Sequence, residues 1–113
     1  AQWNFTLTEL NKIYSVCKKN DIPVVLLIFP FTFQFNNADM QWPQELLKQD
    51  ASKNQVTYID FLKTFENIID SDTTKIAKYF LDEDHYTVEG HKVVAQELSK
   101  VLMKISSANN HNN

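Results

Sequence analysis

Between Thr6 and Lys19 apolar residues return at helical intervals. Leu10, Ile13, Tyr14 and Cys17 stand at i, i+3, i+4 and i+7 and draw one stripe. The spacing predicts a helix that ends at Asn20-Asp21, because Pro23 bars its continuation. The rhythm then changes. Val24 to Phe29 is an unbroken apolar run rich in β-branched residues, the pattern of a strand buried on both faces of a parallel sheet. A second helix is predicted from Trp42 to Lys53, with Pro43 in its first turn and a weaker stripe at Leu46, Leu47, Asp50 and Ala51. Gln55 to Ile59 reads as a short second strand. Asp60 then caps a helix whose apolar face is Phe61, Leu62, Phe65, Ile68 and Ile69. Ser71-Asp72-Thr73-Thr74 is a break, and Lys75 to Tyr79 adds a short helical turn. Thr87 caps a last helix that runs to Ser106, with Val94, Leu98, Val101, Leu102 and Ile105 turned toward the sheet. Residues 107–113 are polar and low in complexity, which predicts a flexible tail.

The order α-β-α-β-α-α implies an α/β fold with parallel strands flanked by helices and joined by right-handed crossovers. Two parallel strands make a poor sheet. The run Val24 to Phe29 expects a neighbour on each edge, and the chain offers one. An earlier strand of a larger domain, a partner chain, or a second copy in a homodimer would fill the open edge.

Composition narrows the class. With 113 residues the chain is at most one domain, and 43% apolar residues suffice for a core. The net charge of −3 and the scattered basic residues leave no nucleic-acid footprint. The longest apolar run, Pro23 to Phe31, is too short to span a membrane. Cys17 is alone, so no internal disulfide forms, and it reads as a small core residue. No pattern asks for a cofactor.

Two features carry chemistry. The first is Phe31, Phe33 and Phe35, three phenylalanines in the loop that follows the first strand. Ligands of open α/β sheets bind beyond the carboxyl ends of strands, so these rings fit an apolar pocket for an acyl chain or a sugar ring. They fit packing under the next helix equally well. The second is Asp82, three residues before His85. A carboxylate this close can fix an imidazole tautomer through one nitrogen and support the charge when the other takes a proton. A solvated aspartate and a loop-capping histidine are the plainer reading of the pair. A metal site from Asp82, Asp84, His85 and His91 is the weakest reading, because the step from His85 to His91 does not set both on one helical face.

The surrounding pattern favours the acid–base reading. Phe80-Leu81-Asp82-x-x-His85-x-Thr87-x-x-Gly90-His91-x-x-Val94-Ala95 resembles the last sequence block of the SGNH (GDSL-like) hydrolases. Ile22 to Pro30 looks like that family's fourth strand, and Val56 to Asp60 like its fifth. The resemblance implies that residues 1–106 are the C-terminal part of a flavodoxin-like three-layer sandwich. It implies that Asp82 and His85 are two members of a Ser-His-Asp triad acting on esters, with acylated carbohydrate or lipid as substrate. The family's Gly-Asp-Ser turn is absent from this sequence, and so are the blocks that supply its oxyanion donors. Ser15, Ser52 and Ser71 have no glycine-rich turn around them, and Gly90 is the single glycine. The expectation is a hydrolase or acyltransferase portion without its nucleophile, inactive alone. The alternative is a non-catalytic module that binds a ligand or partner on the same fold.

Overall fold

The computed structural model describes residues 2–111. Within them the order is α1 (Gln2–Lys19), β1 (Val25–Ile28), α2 (Trp42–Lys53), β2 (Thr57–Asp60), α3 (Phe61–Ile69), α4 (Ile76–Tyr79) and α5 (Val88–His111). Short 3-10 turns at Thr32–Gln34, Ala38–Met40 and Thr73–Lys75 join them. The strands pair in parallel, from Val25 opposite Thr57 to Ile28 opposite Asp60. The chain is therefore mixed α/β and mostly helical, around a two-stranded parallel sheet.

Strand alternation sends Val25, Leu27 and Ile59 to one face of the sheet. There they meet Phe61, Leu62, Phe65 and Ile69 of α3, with Phe35 and Phe80, and α5 closes the cluster with Val94, Leu98 and Val101. Phe61, Phe65 and Ile69 are fully buried, so the α3 face read from the sequence is the face that makes the core. Asp60 joins strand to helix. Its Oδ1 accepts from the Leu62 N–H at 3.1 Å as the α3 cap. Its Oδ2 lies 2.9 Å from Lys48 Nζ of α2. Because Asp60 alternates with Ile59, α2 packs on the face opposite the α3–α5 core.

Helix α1 runs beside α2. Trp3 and Trp42 meet edge to face with centroids 5.6 Å apart. Asn11 donates to Asp50 Oδ2 at 2.9 Å. Both contacts step eight residues along each helix in the same direction, so α1 and α2 are parallel neighbours on one face.

Several boundaries depart from the sequence reading. Helix α1 begins at Gln2, ahead of Thr6. The hydroxyls of Thr6 and Thr8 donate back to the carbonyls of Gln2 and Asn4, which serves the first turn. β1 loses a residue at each end of the predicted run, and only Ile28 in it is buried, because it has a neighbour on one edge alone. Gln55 turns at φ 58°, so β2 starts at Thr57. Ile13 is 54% exposed and leaves the α1 stripe, since α1 is packed on one flank only. Leu102, at 50% exposure, leaves the α5 stripe, and Val93 joins it instead. Helix α5 passes Ser106 and continues through the predicted tail to His111; no proline or glycine after Gly90 stops it. Residues 112 and 113 of that tail lie outside the described residues.

With almost no glycine, the turns are made by other residues. Asp21, Asn36, Gln55 and Asp70 all take positive φ, between 53° and 58°. Aspartate and asparagine tolerate this region better than most side chains, and glutamine gains no such local help.

The molecule is a slab. Its radius of gyration is 15.7 Å, against about 13 Å for a compact domain of this length. It exposes 7761 Å², where a compact monomer of its mass would expose about 6,400 Å².

A candidate acid–base site

The segment Phe80 to Tyr86 is a closed loop. Phe80 and Tyr86 form an antiparallel bridge, and the Leu81 N–H donates to the His85 carbonyl at 2.8 Å. Phe80 is buried, and its ring packs on Phe35, Phe65 and Tyr86. The next turn is fixed by Thr87. Its hydroxyl donates to the Lys78 carbonyl at 2.6 Å and accepts from the Gly90 N–H at 3.1 Å, and its N–H donates to the Tyr79 carbonyl at 3.0 Å. This seats the start of α5 against the end of α4. Gly90 is required there, because a Cβ at that position would stand 2.2 Å from the Tyr79 carbonyl oxygen.

Inside the loop Asp82 does two jobs. Its Oδ1 accepts from the backbone N–H of Asp84 at 3.1 Å and of His85 at 2.8 Å, which folds the chain back on itself. The same carboxylate lies 2.9 Å from His85 Nδ1. Asp84 Oδ1 lies 3.1 Å from that nitrogen. Ionised carboxylates only accept, so the proton sits on Nδ1 and the ring's Nε2 is left as the basic nitrogen. Among the described residues no protein group bonds to Nε2, and the His85 side chain is 71% exposed.

The electrostatics follow from these contacts. The backbone N–H groups of Asp84 and then His85 hold the Asp82 carboxyl down at about 2, with the imidazole adding to them. The hydrogen bond that Nδ1–H donates to Asp82, and then the charges of Asp82 and Asp84, raise the His85 imidazole above its ordinary value. Burial, helped by the Asp84 charge, pushes the Tyr86 phenol up to about 12. Asp82 thus stays a carboxylate through the whole range in which His85 exchanges its proton. The arrangement can take a proton at Nε2 and stabilise the imidazolium that results.

The loop is tied to the strand side of the molecule by the Thr32 N–H, which donates to the Glu83 carbonyl at 2.9 Å. Thr32 follows β1, so His85 lies near the chain that leaves the carboxyl end of that strand. The three phenylalanines of that chain part company. Phe31 and Phe33 stack at 5.2 Å, stay nearly half exposed, and line a hollow of about 390 Å³ with Trp3, Met40 and Trp42. Phe35 turns inward and packs on Phe80 in the core, away from that hollow.

Sequence reasoning did not find the floor of the hollow. Gln34 and Gln44 are both buried and exchange two amide hydrogen bonds of 2.9 Å. Gln34 also accepts from the Phe31 N–H and donates to the Met40 carbonyl, so every polar atom of its amide is used. Sequence reasoning set Asp84 beside Asp82 and His85 only as a candidate metal ligand, and did not see it as a second carboxylate at the imidazole. Its only signal is its place between Asp82 and His85.

Donor atoms of Asp82, Asp84 and His85 fall within 4.8 Å of one another, all exposed. His91 is not in that group; its ring lies against Tyr86. Ser15, Ser52 and Ser71 are exposed, on α1, near the end of α2 and after α3, and none bonds to His85. No helix among the described residues is long and apolar enough to cross a membrane. Comparison with protein-family models, curated proteins and solved structures finds no match to this chain.

Proposed function

We propose that this chain is the acid–base portion of an SGNH-like serine ester hydrolase or acyltransferase, with His85 as general base and Asp82 as the residue that orients it. The observation that carries the reading is the locked pair: Nδ1 is held 2.9 Å from Asp82 while Nε2 is open to solvent. A triad histidine needs this arrangement, with one ring nitrogen bonded to a carboxylate and the other free to take a proton. In this reading the two strands and their helices are part of a flavodoxin-like three-layer sandwich. Phe31 and Phe33 then stand where an acyl or sugar group would enter, beyond the carboxyl end of β1.

The nucleophile and the oxyanion donors come from elsewhere in this reading. Losing the serine of a triad removes nearly all of the rate even when the oxyanion hole survives. The chain alone is therefore expected to hydrolyse a short aryl ester no faster than free imidazole. Turnover above that level which vanishes in His85→Ala would overturn the claim that the nucleophile lies outside the chain. The deciding observation is the coding sequence ahead of Ala1. A Gly-Asp-Ser turn after an apolar strand supports the hydrolase reading, and unrelated sequence defeats it.

A second reading has its own support. The aromatic hollow of Trp3, Phe31, Phe33, Met40 and Trp42 is a binding surface in form with or without catalysis. A non-catalytic module would use it for an apolar ligand or partner.

A further inference from the structure

We propose that the outward face of α1 is a homodimer interface, on which two copies of the chain pair α1 against α1, antiparallel, about a two-fold axis. The inference does not rest on the acid–base reading. It rests on a strip of α1 whose spacing and charge are self-complementary.

Helix α1 has two sides of different character. Leu7, Leu10, Tyr14 and Cys17 share the side on which Trp3 and Asn11 meet α2, and all four are at least partly buried. The opposite side carries Phe5, Glu9, Lys12 and Val16. Steps of four, three and four residues keep these in one strip about 60° wide at 3.6 residues per turn. Phe5 is 69% exposed and Val16 60%. Between them Lys12 Nζ and Glu9 Oε1 form a surface ion pair of 2.8 Å. Single apolar side chains are ordinary on a protein surface. The order of these four is what a two-fold axis asks for.

Such an axis brings residue i of one copy to residue j of the other, and j to i. The spacing four-three-four reads the same in both directions, so antiparallel copies meet along its whole length. Phe5 then faces the partner's Val16, and Glu9 faces the partner's Lys12. Apolar meets apolar and acid meets base. A parallel pairing in register would set acid on acid and base on base. The strip has its midpoint between Leu10 and Asn11, which is also the midpoint of α1 from Gln2 to Lys19. The two helices therefore overlap from end to end, over about 27 Å. Steps of four and three are also those of the a and d positions of a heptad, and a polar pair in such a seam fixes register at a cost in stability. Helix α2 runs beside α1, but its exposed Glu45, Gln49 and Ser52 are polar, so the contact is confined to α1.

The seam is small. A standard interface takes about 800 Å² from each partner, and one helix face offers less. The dimer is accordingly weak, with a dissociation constant of about 100 µM.

The test is sedimentation equilibrium of the 113-residue chain, run from about 10 µM to about 1 mM so as to bracket that constant. The average mass is expected to rise from that of one chain toward that of two. Glu9→Lys gathers four ammonium groups at the axis, and Lys12→Glu gathers four carboxylates. Each is expected to weaken the dimer by about tenfold or more. The double exchange Glu9→Lys/Lys12→Glu remakes both pairs with the signs reversed, and is expected to return the constant to within about threefold of the parent's. Both side chains are solvent-exposed in the single chain, so the fold does not depend on them, and circular dichroism verifies this for each variant. A chain that stays monomeric at about 1 mM, or a double exchange that fails to restore what the single reversals lose, would overturn the proposal. A dimer indifferent to either reversal would overturn it too, and would assign self-association to the open edge of β1 instead.

Discussion

Replacing Gly90 with alanine should destabilise the protein although Gly90 stands inside a helix. By propensity alone the change should stabilise α5 by about 1 kcal/mol. The packing opposes it. The new Cβ would stand 2.2 Å from the Tyr79 carbonyl oxygen and 3.0 Å from the Tyr86 ring, where ordinary contact begins at 3.4 Å. The nearer neighbour is backbone, so the strain cannot be relieved by turning a side chain. Forcing an extra methyl into such a place costs about 1–3 kcal/mol. The same carbonyl accepts the Thr87 N–H, so pushing it aside also strands that donor, at about 1–3 kcal/mol. The net loss is about 3 kcal/mol, or roughly 10 °C in Tm for a chain of this size. Thermal unfolding followed by circular dichroism measures it, with Val88→Ala, exposed in the same turn, as the control expected to stay within about 0.5 kcal/mol. A Gly90→Ala protein that melts at or above the parent's temperature would refute the claim that α5 is seated against the Tyr79 carbonyl.

Other perturbations read other parts of the molecule. Asp82→Asn should lower the midpoint of the His85 titration seen by NMR, because the first cause of its rise is the hydrogen bond that His85 donates to Asp82; an unchanged midpoint would separate the two groups. The signs with pH are opposite for the pair. The share of stability from His85 is complete below the ordinary imidazole value and is lost as pH rises through its raised one. That from Asp82 is present above the ordinary carboxylate value and is lost as pH falls toward about 2. Lys48→Met should cost about 3 kcal/mol in urea unfolding, since it leaves the nearly buried Asp60 carboxylate without its cation; a loss below 1 kcal/mol would mean water already reaches that oxygen. Gln44→Leu should cost about 2 kcal/mol by leaving one hydrogen of the buried Gln34 amide without an acceptor, while its bonds to Phe31 and Met40 remain, and a neutral result would show that the loop can rearrange. Gln55→Gly should add about 1 kcal/mol by relieving its left-handed backbone, which thermal melts would detect.

The parts of the fold that were legible are those where one physical demand dominates. Phe61, Leu62, Phe65 and Ile69 repeat at the helical period because one face of α3 has nowhere else to go, so period and burial coincide. Asp60 was legible as a cap for a similar reason: a short carboxylate ahead of an apolar helix has an orphan N–H to serve. Where two demands compete, the pattern misleads. Ile13 and Leu102 continue their stripes by spacing, yet burial needs a neighbour that their flanks lack. Phe31, Phe33 and Phe35 look alike in sequence, and the 3-10 turn at Thr32–Gln34 decides which ring points inward. Of the candidate site, the Asp82–His85 contact was legible because its spacing is short. The Thr32 tether and the Gln34–Gln44 pair were not, because each joins residues whose types carry no preference for the role.

The closed loop from Phe80 to Tyr86 separates two kinds of precision. The bonds that set Asp82 against His85 all lie within a few residues, so this geometry belongs to the loop itself. Its position relative to the chain leaving β1 is held by one backbone bond, from Thr32 to Glu83, and by the rings of Phe80 and Tyr86 at the loop's two ends, which pack on Phe35 and Phe29. A fluctuation that opened the Thr32 bond would free the tip of the loop while its ends stayed packed, and the pair would keep its geometry, like a key moving on its ring without changing its teeth. The exchange rate of the Thr32 amide is the clock for that motion of the tip.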